Sequence, residues 1–231
     1  RSFHNKVWQW EELPDGIRFS LYSPDGEGGF PGNIHVITDY RFNEDNELSV
    51  RHYAETDCAT YINMTNHAYF NLCGKGKKIT EHRLHIPADR ILDTTPAFIP
   101  TGKRMNVKNT PFDFTSLKPI GTDLYADHEQ LLWNKGYNHC YILKDEISVE
   151  MLEAASLYEP VTGRKMTVMT DLPAVLLYTA GYYDRPDTAI CLETQFYPDT
   201  PSHSDFPSCL VLPEKAYEHC TLFHFQVQKE E

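Results

Sequence analysis

Three stretches of this 231-residue chain carry side chains able to move protons or hold hydroxyl groups. The first is Thr65-Asn66-His67-Ala68-Tyr69-Phe70-Asn71-Leu72. A histidine between amides and aromatics suits acid–base work over a polyol. Aromatic faces cover apolar ring surface, amides hold hydroxyls, and an imidazole exchanges protons near neutrality. A strand histidine of purely structural role would show the same residue types. The second stretch is Cys191-Leu192-Glu193-Thr194-Gln195-Phe196-Tyr197-Pro198-Asp199-Thr200-Pro201, where Glu193 ends the apolar run from Ala189 to Leu192. Desolvation at a buried strand end penalises a carboxylate's charged form, which raises its pKa and makes it a better base near neutral pH. A strand glutamate turned out to solvent is the plain alternative. The third stretch is Gly136-Tyr137-Asn138-His139-Cys140-Tyr141, whose Asn138 can donate to and accept from a ligand, while His139 alone has a structural reading. His82, His85, His203, His219 and His224 show no ligand spacing on a plausible helix.

These residues need a scaffold, and the pattern around them is that of strands. Residues 6–10 and 17–22 alternate on either side of Pro14-Asp15-Gly16, a turn in which proline presets one dihedral and glycine accepts positive φ. The Gly/Pro-rich loop 23–32 separates this hairpin from a second one, Asn33–Phe42 and Leu48–Thr56, joined through Asn43-Glu44-Asp45-Asn46. The run Thr60-Tyr61-Ile62-Asn63-Met64 reads as a strand entering the histidine stretch, and Cys73-Gly74-Lys75-Gly76-Lys77-Lys78 as an exposed turn leaving it. A short strand is expected at 81–87. Residues 88–128 read mostly as loop, because Pro96, Pro100, Pro111 and Pro119 interrupt them. One helical turn is expected over Asp127–Leu132, with strands at 141–143, 148–158, 165–170, 175–178, 189–194 and 222–227. The expectation is one all-β domain over residues 1–231, a large antiparallel sandwich.

Composition narrows the function classes. Hydrophobic content of 41% and aromatic content of 13% support a packed core. A formal net charge of −12 weighs against nucleic acid and anionic membrane surfaces. The six cysteines lack Cys-x-x-Cys spacing and paired Cys/His clusters, which points away from zinc and a disulfide framework and toward free thiols in a reducing compartment. With no membrane-length apolar run and no signal-peptide pattern at Arg1-Ser2-Phe3-His4, a cytoplasmic location is expected. The sequon Asn63-Met64-Thr65 falls in an expected strand and is taken as chance.

The histidine stretch resembles the aldose 1-epimerase (galactose mutarotase) signature, and Gly28-Gly29-Phe30-Pro31-Gly32-Asn33 upstream does too. Gly136-Tyr137-Asn138-His139 and Leu192-Glu193-Thr194-Gln195-Phe196-Tyr197-Pro198-Asp199 follow in the family's order, and Leu212-Pro213-Glu214-Lys215-Ala216-Tyr217 is similar to its closing turn. The resemblance implies a galactose mutarotase-like supersandwich and interconversion of the α and β anomers of a free hexose such as galactose or glucose, in a galactose-handling pathway. It places the catalytic acid at His67 and the base at Glu193, with Asn66, Tyr69 and Asn138 as substrate-binding residues, and needs no metal or cofactor. The partner it implies is a small monosaccharide.

Three departures are visible against that resemblance. Arg1-Ser2-Phe3-His4-Asn5-Lys6-Val7-Trp8 looks like the segment just after the family's His-Gly-Gly motif, so an N-terminal portion carrying a sugar-binding arginine and histidine is expected to be absent. Asn138 stands where the family usually has Asp, and Leu176 where it usually has Gln, so a charge-assisted contact and an amide are lost. A sheet short of its first strands exposes edges, from which self-association or pairing with the missing segment is expected. A non-catalytic carbohydrate-binding or regulatory module that keeps the fold is the alternative. A glycoside hydrolase would need two carboxylates across one cleft, and Glu193 and Asp199 are too close in the chain for that pair.

Overall fold

In a computed structural model that describes residues 3–74 and 76–228, turn chemistry sets the first half of the fold. Arg1 and Ser2 of the N-terminal match, and Lys75 of the expected Gly/Lys turn, lie outside the described residues. Strand β1 (Gln9–Leu13) turns through Pro14-Asp15 into β2 (Gly16–Ser23), and β3 (Ile34–Phe42) pairs antiparallel with β4 (Glu47–Thr56). Phe3–Asn5 is a 3-10 turn, so the first strand begins later than alternation at Val7 and Trp8 suggests. Strand β5 is only Thr60–Tyr61, followed by β6 (Arg83–His85), β7 (Arg90–Thr94), β8 (Pro100–Asn106) and β9 (Lys118–Pro119).

The helix α1 (Glu129–Asn134) is capped by His128, whose ring accepts from Gln130 N–H, and stops at Lys135 in the left-handed region. Seven strands complete the chain: β10 (Asn138–Ile142), β11 (Leu152–Glu159), β12 (Arg164–Thr170), β13 (Ala174–Tyr178), β14 (Cys191–Gln195), β15 (Leu210–Val211) and β16 (Tyr217–Val227).

The hairpin β7–β8 corrects the expectation of loop over residues 88–128. Its prolines do not break it: Pro96 lies in the connection and Pro100 is the first residue of β8, positions where proline is tolerated in a sheet.

Nine strands pair in the order β1-β2-β3-β4-β16-β12-β11-β6-β9, and five in the order β14-β13-β10-β7-β8. All pairings described are antiparallel. The main core lies between the two sheets. Val50, Leu84, Leu157, Met166, Val168 and Phe223 enter it from the larger sheet, and Ile91, Tyr141, Val175, Leu177 and Leu192 from the smaller. Each such fully buried side chain contributes roughly 1.5–3 kcal/mol over an exposed one. Because side chains alternate along a strand, committing Val175, Leu177 and Leu192 to this core turns Leu176, Tyr178, Cys191 and Glu193 to the opposite face. That face bears the site. All six cysteines are free thiols, and among the described residues no helix is long and apolar enough to cross a membrane.

Candidate active site

The histidine stretch is an arch rather than a strand, and its anchors explain where His67 goes. At one end the Asn63 side chain imitates a peptide group: its amide donates to Phe196 O at 3.1 Å and its oxygen accepts from Phe196 N–H at 2.9 Å. At the other end Phe70 and Ile190 exchange two backbone hydrogen bonds, at 2.8 and 2.9 Å, and Asn71 donates to Thr188 O. Residues 63–70 are thereby tied alongside β14 at both of its ends, and the segment between crosses over Glu193. The expected strand 60–64 ends at Tyr61 because Asn63 replaces the ladder with side-chain bonds.

The arch brings His67 Nε2 to 3.4 Å from Glu193 Oε1. The two differ sharply in exposure, with the histidine side chain 49% accessible and the glutamate 8%. Burial in the middle of β14 pushes the Glu193 pKa up from 4.5 to about 7, the direction a general base needs. Around the pair lies a cavity of about 330 Å³ lined by Tyr69, Phe98, Asn138, Leu176, Tyr178 and Tyr182. The His67 ring sits 5.0 Å from Tyr69 and 5.9 Å from Tyr178 between centroids, so the walls are aromatic.

Four of the five residues singled out from the sequence therefore share one cavity: His67, Tyr69, Asn138 and Glu193. Asn66 does not line it. Its amide donates to Tyr40 Oη at 2.7 Å and its oxygen accepts from Ala68 N–H at 3.0 Å, so its polar atoms are spent on holding the arch. His139 faces the other way and is fully buried beside Phe112, its ring centroid 4.4 Å from that ring. Burial pushes its pKa down to about 3, as suits a neutral core histidine.

Phe98, Tyr178 and Tyr182 were not legible as site residues, since they come from three separate connections and strands. Cys191 was not singled out from the sequence either, although its place two residues before Glu193, hence on the same strand face, is a signal that could have found it. Its sulfur, with ligand atoms of His67 and Glu193, forms a trio within 4.8 Å. Those donors suit a soft divalent cation, yet burial pushes the Cys191 thiol well above its ordinary pKa, and a proton would have to leave before a metal entered.

Comparison with known proteins gives the family. The profile of the family described as aldose 1-epimerase matches residues 2–224. Galactose mutarotase of Rattus norvegicus is 34% identical over 239 residues, covering 98% of this chain and 68% of the relative. Aldose 1-epimerase of Escherichia coli K12 is 32% identical over 236 residues, covering 96% and 68%. This chain thus spans about two thirds of the length of these curated relatives. Among solved structures, galactose 1-epimerase from Lactobacillus acidophilus superposes with a TM-score of 0.81 at 26% identity, over 96% of this chain and 67% of that one. An aldose epimerase homologue from C. elegans shares the fold, with a TM-score of 0.84 at 24% identity over 96% and 69%. The chain belongs to the aldose 1-epimerase family.

Proposed function

We propose that this chain interconverts the α and β anomers of a free hexose such as glucose or galactose, with Glu193 as base and His67 as acid. The observation that carries the reading is the 3.4 Å approach of His67 Nε2 to Glu193 Oε1 inside an aromatic cavity. The anomeric hydroxyl oxygen and the ring oxygen are both bonded to C1, so two groups this close can address both at once.

Glu193 accepts the proton of the C1 hydroxyl while His67 delivers one to the ring oxygen. The electron pair left on the hydroxyl oxygen forms the aldehyde carbonyl, and the bond from C1 to the ring oxygen breaks. Rotation about C1–C2 turns the other face of the carbonyl toward the C5 hydroxyl. That hydroxyl then attacks C1, returns its proton to His67, and the new C1 oxygen takes the proton held by Glu193. The reaction leaves both side chains as they began. Tyr69 and Tyr178 supply apolar faces for the ring, and Asn138 meets hydroxyls on its far side. Asn66 acts in this reading by fixing the arch, not by touching sugar.

The test is polarimetry on freshly dissolved α-D-glucose and α-D-galactose. Wild type should outrun buffer, and His67→Ala and Glu193→Ala should each lose on the order of a hundred- to ten-thousandfold. A wild type that binds sugar without outrunning buffer would sink the catalytic reading. Self-association through the exposed β1 edge, with Trp10 on it, belongs to the same proposal. Light scattering that gives a monomer mass at working concentration would remove that part alone.

A further inference from the structure

Strand register fixes which part of a bound hexose each side chain meets. Neighbouring strands stand about 4.8 Å apart, and residues directly opposite in an antiparallel pair share a face. One row across the smaller sheet runs Glu193, Leu176, Cys140, and the adjacent row runs Cys191, Tyr178, Asn138. A ring whose anomeric oxygen meets Glu193 and whose distal hydroxyls reach Asn138, two strands away, crosses the strand between them at Leu176 and Tyr178, and the His67 ring stands on the Tyr178 side, 5.9 Å away between centroids. His67 takes the ring-oxygen side of C1. The carbon that Leu176 meets, beside Glu193 and away from His67, is C2.

Leu176 lines the cavity and has no donor or acceptor to offer. Of the adjacent hydroxyls, Tyr182 Oη donates to Trp133 O, and Tyr178 Oη accepts from Tyr182 N–H at 3.1 Å but stands in the row of Asn138, not that of Leu176. A C2 hydroxyl laid on Leu176 gives up its water and gains no partner from that side chain. A hydrogen atom at C2 has no water to lose and adds apolar contact.

We infer that Leu176 makes this chain selective for hexoses lacking the C2 hydroxyl, so that 2-deoxyhexoses are its better substrates. The inference rests on the anomer-exchange reading above and sharpens its substrate class.

Exchange between anomers at equilibrium is read by magnetisation transfer between the two H1 signals, which needs no pure anomer. Rates are measured for D-glucose, 2-deoxy-D-glucose and 3-deoxy-D-glucose, each corrected for buffer. The expected result is a kcat/KM for 2-deoxyglucose about tenfold above that for glucose, a size set by what an apolar wall can do against one hydroxyl. The 3-deoxy sugar should fall at or below glucose. Leu176→Asn keeps the branching of the side chain while adding an amide, and should move the preference about tenfold back toward glucose. Equal kcat/KM for glucose and its 2-deoxy analogue in wild type would overturn the inference without any variant. So would a ratio that Leu176→Asn leaves unmoved. Should no sugar outrun buffer, it is the exchange reading that fails, and calorimetric titration then decides the Leu176 question: equal Kd for the two sugars counts against it, tighter 2-deoxyglucose for it.

Discussion

His67 and Tyr69 border two hollows of very different make. On one side is the cavity of about 330 Å³ shared with Glu193; on the other is an open groove of about 1330 Å³ against β2, β3 and β4. The groove is four times larger, but apart from the buried Thr65 Oγ1, which has no partner among the described residues, several of its polar groups are already engaged. Thr38 Oγ1 and His52 Nδ1 lie 3.0 Å apart, Tyr40 Oη holds Asn66, and Glu27 accepts from both Lys6 and Ser23. Burial pushes His52 down to about 4, leaving it neutral and inert near pH 7. The small cavity instead holds a carboxylate displaced toward neutrality and an Asn138 amide with no hydrogen-bond partner among the described residues. A titratable group displaced toward neutrality, not volume, separates the reactive hollow from the passive one.

The sharpest break of that contrast is to neutralise Glu193. Its folded pKa of about 7 against 4.5 means the folded chain holds a proton that the unfolded chain has lost. A raised carboxyl pKa contributes stability that is full below pH 4.5 and gone once pH has risen through about 7. Wild type should therefore weaken relative to Glu193→Gln across that window, by up to about 3 kcal/mol, in denaturant titrations at pH 4.5 and pH 8. Activity should run the other way. The base acts as carboxylate, so wild-type kcat/KM should fall about tenfold per pH unit below 7, and Glu193→Gln should be inactive at every pH. His52→Asn in the groove should leave the pH profile of kcat/KM untouched. A flat wild-type profile from pH 5 to 8 would remove the base assignment.

A smaller effect is expected at the anchor of the arch. Asn63→Ala removes two hydrogen bonds and strands the Phe196 N–H and carbonyl, which costs about 1–3 kcal/mol in stability. Because the arch sets the separation of His67 from Glu193, kcat should drop while the Glu193 pH profile keeps its midpoint. Unchanged kcat in a measurably destabilised Asn63→Ala would show that the remaining ties, at Met64, Asn66, Phe70 and Asn71, suffice to hold the arch.

Both hairpins of the first half were legible because Pro14-Asp15-Gly16 and Asn43-Glu44-Asp45-Asn46 announce their turns by residue type. The β7–β8 hairpin was not, since Pro96 and Pro100 look alike as breakers until one knows that both sit outside the hydrogen-bonded interior. The histidine and the glutamate were legible from their neighbours, and the family resemblance joined them. What joined them in space was illegible: Asn63 and Asn66 carry the positioning through side-chain bonds more than 130 residues and 26 residues away, and nothing in a local pattern distinguishes such an amide from one that holds a sugar. Phe98 and Tyr182 reach the cavity only through tertiary packing, their rings 6.1 Å apart.

The weakest link between the two hollows is the Tyr40 hydroxyl, and it gives the smallest prediction. Tyr40 lines the groove from β3 and accepts the Asn66 amide at 2.7 Å, so the groove wall supports the arch through one bond. Tyr40→Phe keeps the ring and its edge-on contact with Phe19 but frees that amide. Asn66 is only half-buried, so water can take up the freed N–H, and the loss should be about 1 kcal/mol or less. Since the Asn66 oxygen still holds Ala68 N–H, kcat should fall no more than about fivefold, by the same free-energy scale, with KM unchanged. A loss approaching that of His67→Ala would mean that the groove side positions the acid more firmly than the bonds along β14, and the division into a reactive and a passive hollow would have to be redrawn with Tyr40 on the reactive side.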